Sequence, residues 1–258
     1  RGHRSIPRQI ERDDIDRIVT DFGDAAIRCK EGGLDGLEVM THGHLIGQFF
    51  SPETNYRQDS FGGSVENRAR FGLLVMEEIR KRVGSDFIVG MRYAVDEGMK
   101  SGQDFDDCIA ILKLFEELGL VDFVNANYGR LDTELALVTD CMPGMQAPQA
   151  PWLNSAAAFK KEIGVPVFHA AKINDIATAR HAIREGLLDM VAMTRAHIAD
   201  PDIVSKIVRG EEDRIRPCVG AVHCMGLNRP SCLHNPASGR ELLWQNKGLQ
   251  KIDKFKKI

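Results

Sequence analysis

The sequence predicts an α/β protein built on a parallel sheet with helices packed over it. Short apolar, β-rich runs recur at 37–40, 87–92, 121–125, 165–169 and 190–194, each bounded by Gly, Asp or Pro. Stretches of helical periodicity lie between them. The runs are apolar throughout, as befits strands covered on both faces. Two architectures satisfy this alternation, a closed (β/α) barrel and an open doubly wound sheet. No G-x-G-x-x-G follows any strand, so a dinucleotide-binding unit of the Rossmann type has no support. Five strand–helix units are visible, and a closed barrel needs eight.

Taken in order, the first helix spans 13–31 and sets Ile15, Ile18, Val19, Phe22, Ala25 and Ala26 on one face before Gly32 and Gly33 end it. Ser64 can cap the next, with Phe71, Leu74, Val75 and Ile79 inward. Asp104 caps a third that buries Cys108, Ile111, Leu112, Phe115 and Leu118 and stops at Gly119. Asn154 starts a fourth and Asn174 or Asp175 a fifth. Asp200 and Pro201 open a sixth, with proline at the first helical position.

Composition narrows the function classes. With 258 residues, 43% hydrophobic and 28% charged, the chain has the make-up of a soluble globular protein. A net charge of −3 gives no basic field for nucleic acid. No apolar run approaches the roughly 18 residues of a membrane helix. The basic start, Arg1 to Arg8, is followed by no apolar stretch of a secretory signal, and the opening on Arg1 rather than Met points to processing or a missing N-terminal piece. Cys29, Cys108 and Cys141 are scattered and read as buried reduced thiols, which indicates a cytoplasmic location.

In either architecture the chemistry collects at the C-terminal ends of strands. The first strand runs into Thr41-His42-Gly43-His44, two histidines suited to anion binding or proton transfer, with no acidic partner at metal spacing. A polar loop follows, in which Arg57, Asp59, Glu66, Arg68 and Arg70 can form a charge network. Arg92 ends the second strand, where its fork can hold a carboxylate, a phosphate or an electron-rich ring edge. Asn125, Asn127 and Tyr128 end the third with hydrogen-bonding groups. Ala170, Ala171 and Lys172 follow the fourth, and Thr194 and Arg195 the fifth. Small residues, a helix N-terminus and two cations together suit a phosphate. In (β/α) barrels that site belongs to the last two strands, so the visible units read as the last five of eight.

Gly36-Leu37-Glu38, Gln48-Phe49 with Ser51-Pro52, Asn55-x-Arg57-x-Asp59 and Gly62-Gly63-Ser64-x-Glu66-Asn67-Arg68-x-Arg70-Phe71 resemble the signature of the Old Yellow Enzyme family, and Arg92 and Arg195 match it too. The resemblance runs from about residue 1 to 241. It implies an FMN-dependent (β/α)8 barrel oxidoreductase whose first three strands are absent from this chain. Residues 1–210 would form the C-terminal part of the barrel, 211–241 a Cys-rich segment and 242–258 a Lys-rich tail.

Arg216-Pro217-Cys218, Cys224 and Cys232-x-His234-Asn235-Pro236 are similar to the iron–sulfur segment of the larger members, among them trimethylamine dehydrogenase, dienoyl-CoA reductase and N-methyl amino-acid demethylases. Ala221 stands where that pattern has a second cysteine. A three-iron cluster, a substitute ligand such as His223, zinc on three Cys and a His, or no metal are the options left to Cys218, Cys224 and Cys232.

By the same resemblance Arg92 contacts the flavin N1/O2 edge. Lys172, Arg195, Thr194 and the backbone after Ala170 surround the FMN phosphate. His42 takes the second of the family's paired donor positions, and the first falls on Val39. His44 can share the role, and Tyr128 lies near the substrate. The implied activity is hydride transfer between flavin N5 and a small organic substrate, either oxidative N-demethylation of an N-methyl amine or NAD(P)H-dependent reduction of an activated C=C bond. A non-catalytic remnant is the third option. NAD(P)H or an electron-transfer protein would be the redox partner, and a homo-oligomer is compatible with the sequence.

Overall fold

The computed structural model describes residues 8–226 and 231–245. Most of the Lys-rich tail, from residue 246 on, lies outside them, as does the basic start up to residue 7. In chain order the elements are α1 (Arg12–Glu31), β1 (Gly36–Met40), α2 (His44–Phe50), α3 (Val65–Val83), β2 (Ile88–Ala94), α4 (Phe105–Glu117) and β3 (Phe123–Asn127). Then come α5 (Glu134–Ala136), which runs into a π-helical turn (Leu137–Cys141), α6 (Leu153–Glu162), β4 (Val167–His169), α7 (Ile176–Arg184), β5 (Met190–Val191), α8 (Thr194–Ala199), α9 (Ile203–Val208) and α10 (Glu241–Gln245).

The five strands pair in sequence order, β1-β2-β3-β4-β5, and every pairing is parallel. Parallel pairing requires a crossover between neighbours, and the helices supply it. On the outer face Met91 and Tyr93 of β2 are fully buried, the Tyr93 ring against Phe50 and Phe159, and Phe50 in turn against Phe115. The Tyr93 hydroxyl donates to the Cys108 carbonyl at 2.9 Å, which satisfies its polar end inside the core. On the inner face Phe123 stacks on Phe168, ring centroids 4.6 Å apart. Gly90 lies beneath, and a Cβ there would meet the Phe123 ring at 2.2 Å. Only glycine lets that ring settle on the sheet.

The caps behave as their chemistry dictates. Ser64, Asp104 and Asp175 each accept from the backbone N–H three residues on, at the starts of α3, α4 and α7. Other expectations are corrected. Residues 44–50 form a helix rather than a loop. The last two strands are shorter than their apolar runs. Thr194 and Arg195 belong to the first turn of α8, not to a strand end. The fourth helix begins at Leu153, after Trp152, and the sixth at Ile203, two residues past Pro201.

The loop charges do not form one network. Arg57 pairs with Asp59 and donates to the Ile10 carbonyl at 2.7 Å. Arg70 donates to Ser60 O. Arg68, buried, joins Phe50 O, Gly63 O and Asp107. Each of these arginines binds at least one backbone carbonyl besides its side-chain partners, which fixes the loop directly.

Candidate active site

A cavity of about 370 Å³ opens at the C-terminal ends of the strands. Its floor is one register row: Met40 of β1 faces Arg92 of β2, and Arg92 faces Asn125 of β3. Glu38, two residues before Met40 on the same strand face, ties the row together. Its Oε1 lies 2.7 Å from Arg92 Nε, and its Oε2 accepts from Asn125 Nδ2 at 2.9 Å. Asn125 Oδ1 is left buried without a hydrogen-bond partner, an acceptor waiting for a donor in the cavity.

His42, His44, Arg92, Ala170, Ala171, Lys172, Thr194 and Arg195 all line this cavity. His42 is 2% exposed and its Nε2 lies 2.8 Å from the Gly129 carbonyl. A carbonyl only accepts, so Nε2 carries the proton. Burial, with Arg92 and His44 nearby, holds the His42 pKa below its ordinary value. The ring is therefore neutral, and its Nδ1 is a lone-pair acceptor with no hydrogen-bond partner among the described residues.

The first donor position is corrected. Val39 is buried on the far side of β1, and the residue that reaches the cavity wall is Met40. A thioether has no proton to donate, so His42 has no paired donor on this strand. Tyr128 is corrected as well. Asn125 and Asn127 line the cavity, and the period of two turns Tyr128 away. Its ring stacks on Trp152 with centroids 3.8 Å apart, under the 131–150 loop.

At the other end, Ala171 and Lys172 have φ of 50° and 64°, two successive left-handed residues. Among the described residues their N–H groups find no backbone acceptor. The α7 N-terminus is taken by its own Asp175, so it is not the free anion site the sequence suggested. Lys172 donates to the carbonyls of Gly144, Met145 and Ala147, and Arg195 to Pro143 O at 3.0 Å. Both cations thus hold the 143–147 loop over the cavity they line.

The preceding 131–142 stretch supplies Leu131, Leu137, Cys141 and Met142 to the wall; of these the sequence singled out Cys141 alone, and as a buried thiol rather than a site residue. Cys141 donates to Tyr128 O and Arg130 O, and burial beside Asp140 pushes its thiol up to about 12. No strand-end rule reaches these residues. Their signal was an apolar pattern inside a polar connection.

Cys218, Cys224 and Cys232 face one small void, about 30 Å³, with Ala221, His223 and His234. Burial and then the neighbouring Cys218 raise the Cys224 thiol. Among the described residues no three His, Cys, Asp or Glu side chains come together as a metal-holding set. Ala221, in place of a further cysteine, lines the same void. The segment is held against the barrel units by Asn235 Nδ2 on Ile198 O (2.8 Å) and Asn174 Nδ2 on Cys218 O (2.6 Å). No described helix is long and apolar enough to cross a membrane.

Residues 1–214 match the sequence model of the NADH:flavin oxidoreductase / NADH oxidase family. A multifunctional alkene reductase/demethylase of Caballeronia cordobensis is 54% identical over 239 residues, covering 93% of this chain and 35% of that protein. An N,N-dimethylglycine/sarcosine dehydrogenase of Chromohalobacter salexigens is 44% identical over 246 residues, with 93% and 35% covered. The chain spans about a third of the length of these curated relatives. Among solved structures, a 2-naphthoyl-CoA reductase in complex with 2-naphthoyl-CoA superposes with a TM-score of 0.84 at 29% identity, over 91% of this chain and 36% of that one. Histamine dehydrogenase from Rhizobium sp. 4-9 gives 0.80 at 26% identity, over 91% and 34%. The structural neighbours are barrels of the (β/α)8 type, and the described residues supply five of the strand–helix units.

Proposed function

This chain belongs to the NADH:flavin oxidoreductase / NADH oxidase family, and on that footing we propose that it serves an FMN-dependent oxidation of N-methyl amines. One observation favours amine oxidation over enone reduction. The buried imidazole of His42 presents an acceptor at Nδ1, and Met40 removes the partner donor. A carbonyl substrate needs donors at this place, whereas an ammonium or amine N–H needs an acceptor.

FMN fits the residues present. Arg92 and the orphaned Asn125 Oδ1 would meet the acceptors and the N–H along the ring edge. The free N–H groups of Ala171 and Lys172, with Thr194 and Arg195, would hold the phosphate. A bound FMN supplies a two-electron hydride acceptor.

The chain's own residues do the rest. His42 takes the proton from the substrate ammonium at Nδ1, which frees the nitrogen lone pair. His44 borders the same space. Leu131, Leu137 and Met142 keep it apolar. The methyl carbon then loses a hydride to become an iminium, and water adds to give formaldehyde and the demethylated amine. The Cys218–Cys232 segment is assigned no step. The sarcosine-dehydrogenase relative points the same way, and the alkene-reductase relative keeps activated C=C reduction with NAD(P)H as the second reading. An electron-transfer protein or NAD(P)H would complete the cycle.

The test is anaerobic mixing of the FMN-loaded protein with sarcosine or N-methylproline. Bleaching of the visible flavin band with stoichiometric formaldehyde is expected. Bleaching by NADPH and reoxidation by cyclohexenone, with no response to the amines, would replace this reading with the second one.

A further inference from the structure

A second cavity, about 310 Å³, lies on the other side of His42 and His44 from the flavin cavity. His42, His44 and Leu131 line both, and so form the partition between them. The partition is tight: Gly43 has φ +60°, and a Cβ there would meet Leu131 at 3.1 Å.

The two cavities have opposite electrostatic character. The flavin cavity is lined by Arg92, Lys172 and Arg195 and by no carboxylate. The second is lined by Glu53, Glu97 and Asp132 against Arg130, which lies 3.3 Å from Asp132. Glu97 is firmly seated. Its Oε2 accepts from Ser51 Oγ at 2.6 Å and from Gln103 N at 2.7 Å, and its backbone N–H donates to Gln103 O. Its Oε1 takes no hydrogen bond among the described residues. Gln48, Met99, Leu131 and the backbone of Gly43 and Gly47 add neutral wall around it. No three acidic or imidazole groups converge as a metal would require among the described residues.

We propose that this second cavity is a binding site for a small organic cation, an alkylammonium, held beside Glu97 on the far side of the His42–His44 partition from the flavin. Negative charge over a partly apolar wall selects an alkylated ammonium over both a neutral molecule and an anion. Its identification with the amine substrate rests on the function proposed above; the site itself does not. The carboxyl of Glu97 is raised above its ordinary value by burial, which makes cation binding weaken on acidification.

The experiment is calorimetric titration of the FMN-loaded chain with choline and with its uncharged isostere 3,3-dimethylbutan-1-ol. Choline is expected to bind at least about tenfold more tightly. Glu97→Gln, which keeps an oxygen for Ser51 and Gln103, is expected to abolish that preference while retaining FMN, because Glu97 touches only the second cavity. If Glu97→Gln fails to fold, Glu53→Gln is expected to reduce the preference severalfold. Equal affinity for the two probes in the wild-type chain, or a preference that survives the carboxamide substitution, overturns the proposal. Choline bound normally in a protein whose flavin no amine reduces would refute the proposed function and leave this site standing.

Discussion

Replacing Arg68 by Met is expected to destabilise the fold by about 3 kcal/mol. The guanidinium is 8% exposed and joins three segments. Nε donates to Phe50 O at 2.8 Å, the end of α2; one terminal nitrogen donates to Gly63 O at 2.9 Å; the other pairs with Asp107 of α4. Methionine fills much of the same volume and makes none of these bonds. Phe50 is 0% exposed, so its carbonyl is stranded in the core at a cost of roughly 1–3 kcal/mol. Gly63 O and the Asp107 carboxylate, 30% exposed, recover part of theirs from water. Removing a desolvated cation returns some stability, which brings the sum of roughly 2–5 kcal/mol to the middle of its range. Urea denaturation followed by far-ultraviolet circular dichroism measures this, with the slope m unchanged. Arg68→Lys, which can restore one bond, is expected to lose less. A loss below about 1 kcal/mol for Arg68→Met would refute the claim that one buried arginine holds α2, and with it the His42–His44 wall, against α4.

Three further expectations follow from the site and its floor. His42→Asn is expected to lower amine turnover by about 10²-fold or more with FMN still bound; stopped-flow flavin reduction reads it, and an unchanged rate would remove the imidazole from proton transfer. His42 and His169 are both buried with pKa values held down by desolvation. The folded state therefore binds fewer protons than the unfolded one. Their stability contribution is complete above the ordinary histidine value of 6.5 and is lost as pH falls below it, with a limiting slope of about 2.7 kcal/mol per pH unit for the pair. The raised Glu97 opposes this within its own window, being favourable at low pH and lost as pH rises through its folded value. Urea midpoints at a series of pH values test the sign; a flat profile down to about pH 5.5 would sink it, and His169→Asn should reduce the slope. Gly90→Ala is expected to cost about 1–3 kcal/mol by pushing on the Phe123 ring, with recovery in the Phe123→Leu background; calorimetric melting temperatures would expose a failure to recover.

The strand ends were legible in the sequence because the rule behind them is geometric. An all-apolar run followed by Arg92, by Ala170-Ala171-Lys172 or by Thr194-Arg195 puts those residues at one end of a parallel sheet, and all of them line the cavity. The short helices were not legible. α2 is nearly all apolar, starts after a left-handed Gly43 and has no side-chain cap, so neither periodicity nor capping marks it. α8 likewise starts uncapped on residues that continue a strand-like run. Parity was the finer failure. Counting back from Gln48-Phe49 placed the donor on Val39, but the face of β1 that carries Glu38 also carries Met40. Tyr128 missed the cavity by the same single-residue step. The wall formed by Leu131, Leu137, Cys141 and Met142 depends on how a long connection folds over the sheet, which local patterns do not encode.

The strictly sequential order of the sheet bears on how the protein is made. Among the described residues each strand pairs only with its neighbours in sequence, as in Met40 with Arg92 and Arg92 with Asn125. No strand among the described residues must wait for a distant one before it can dock, so the sheet can grow outward as the ribosome delivers it. The pocket assembles in the same direction: the histidine wall and the Glu38–Arg92–Asn125 row come first, and Thr194 and Arg195 come last. Completion of the pocket therefore waits for residues near 195, on a scaffold whose His42–His44 wall is already in place.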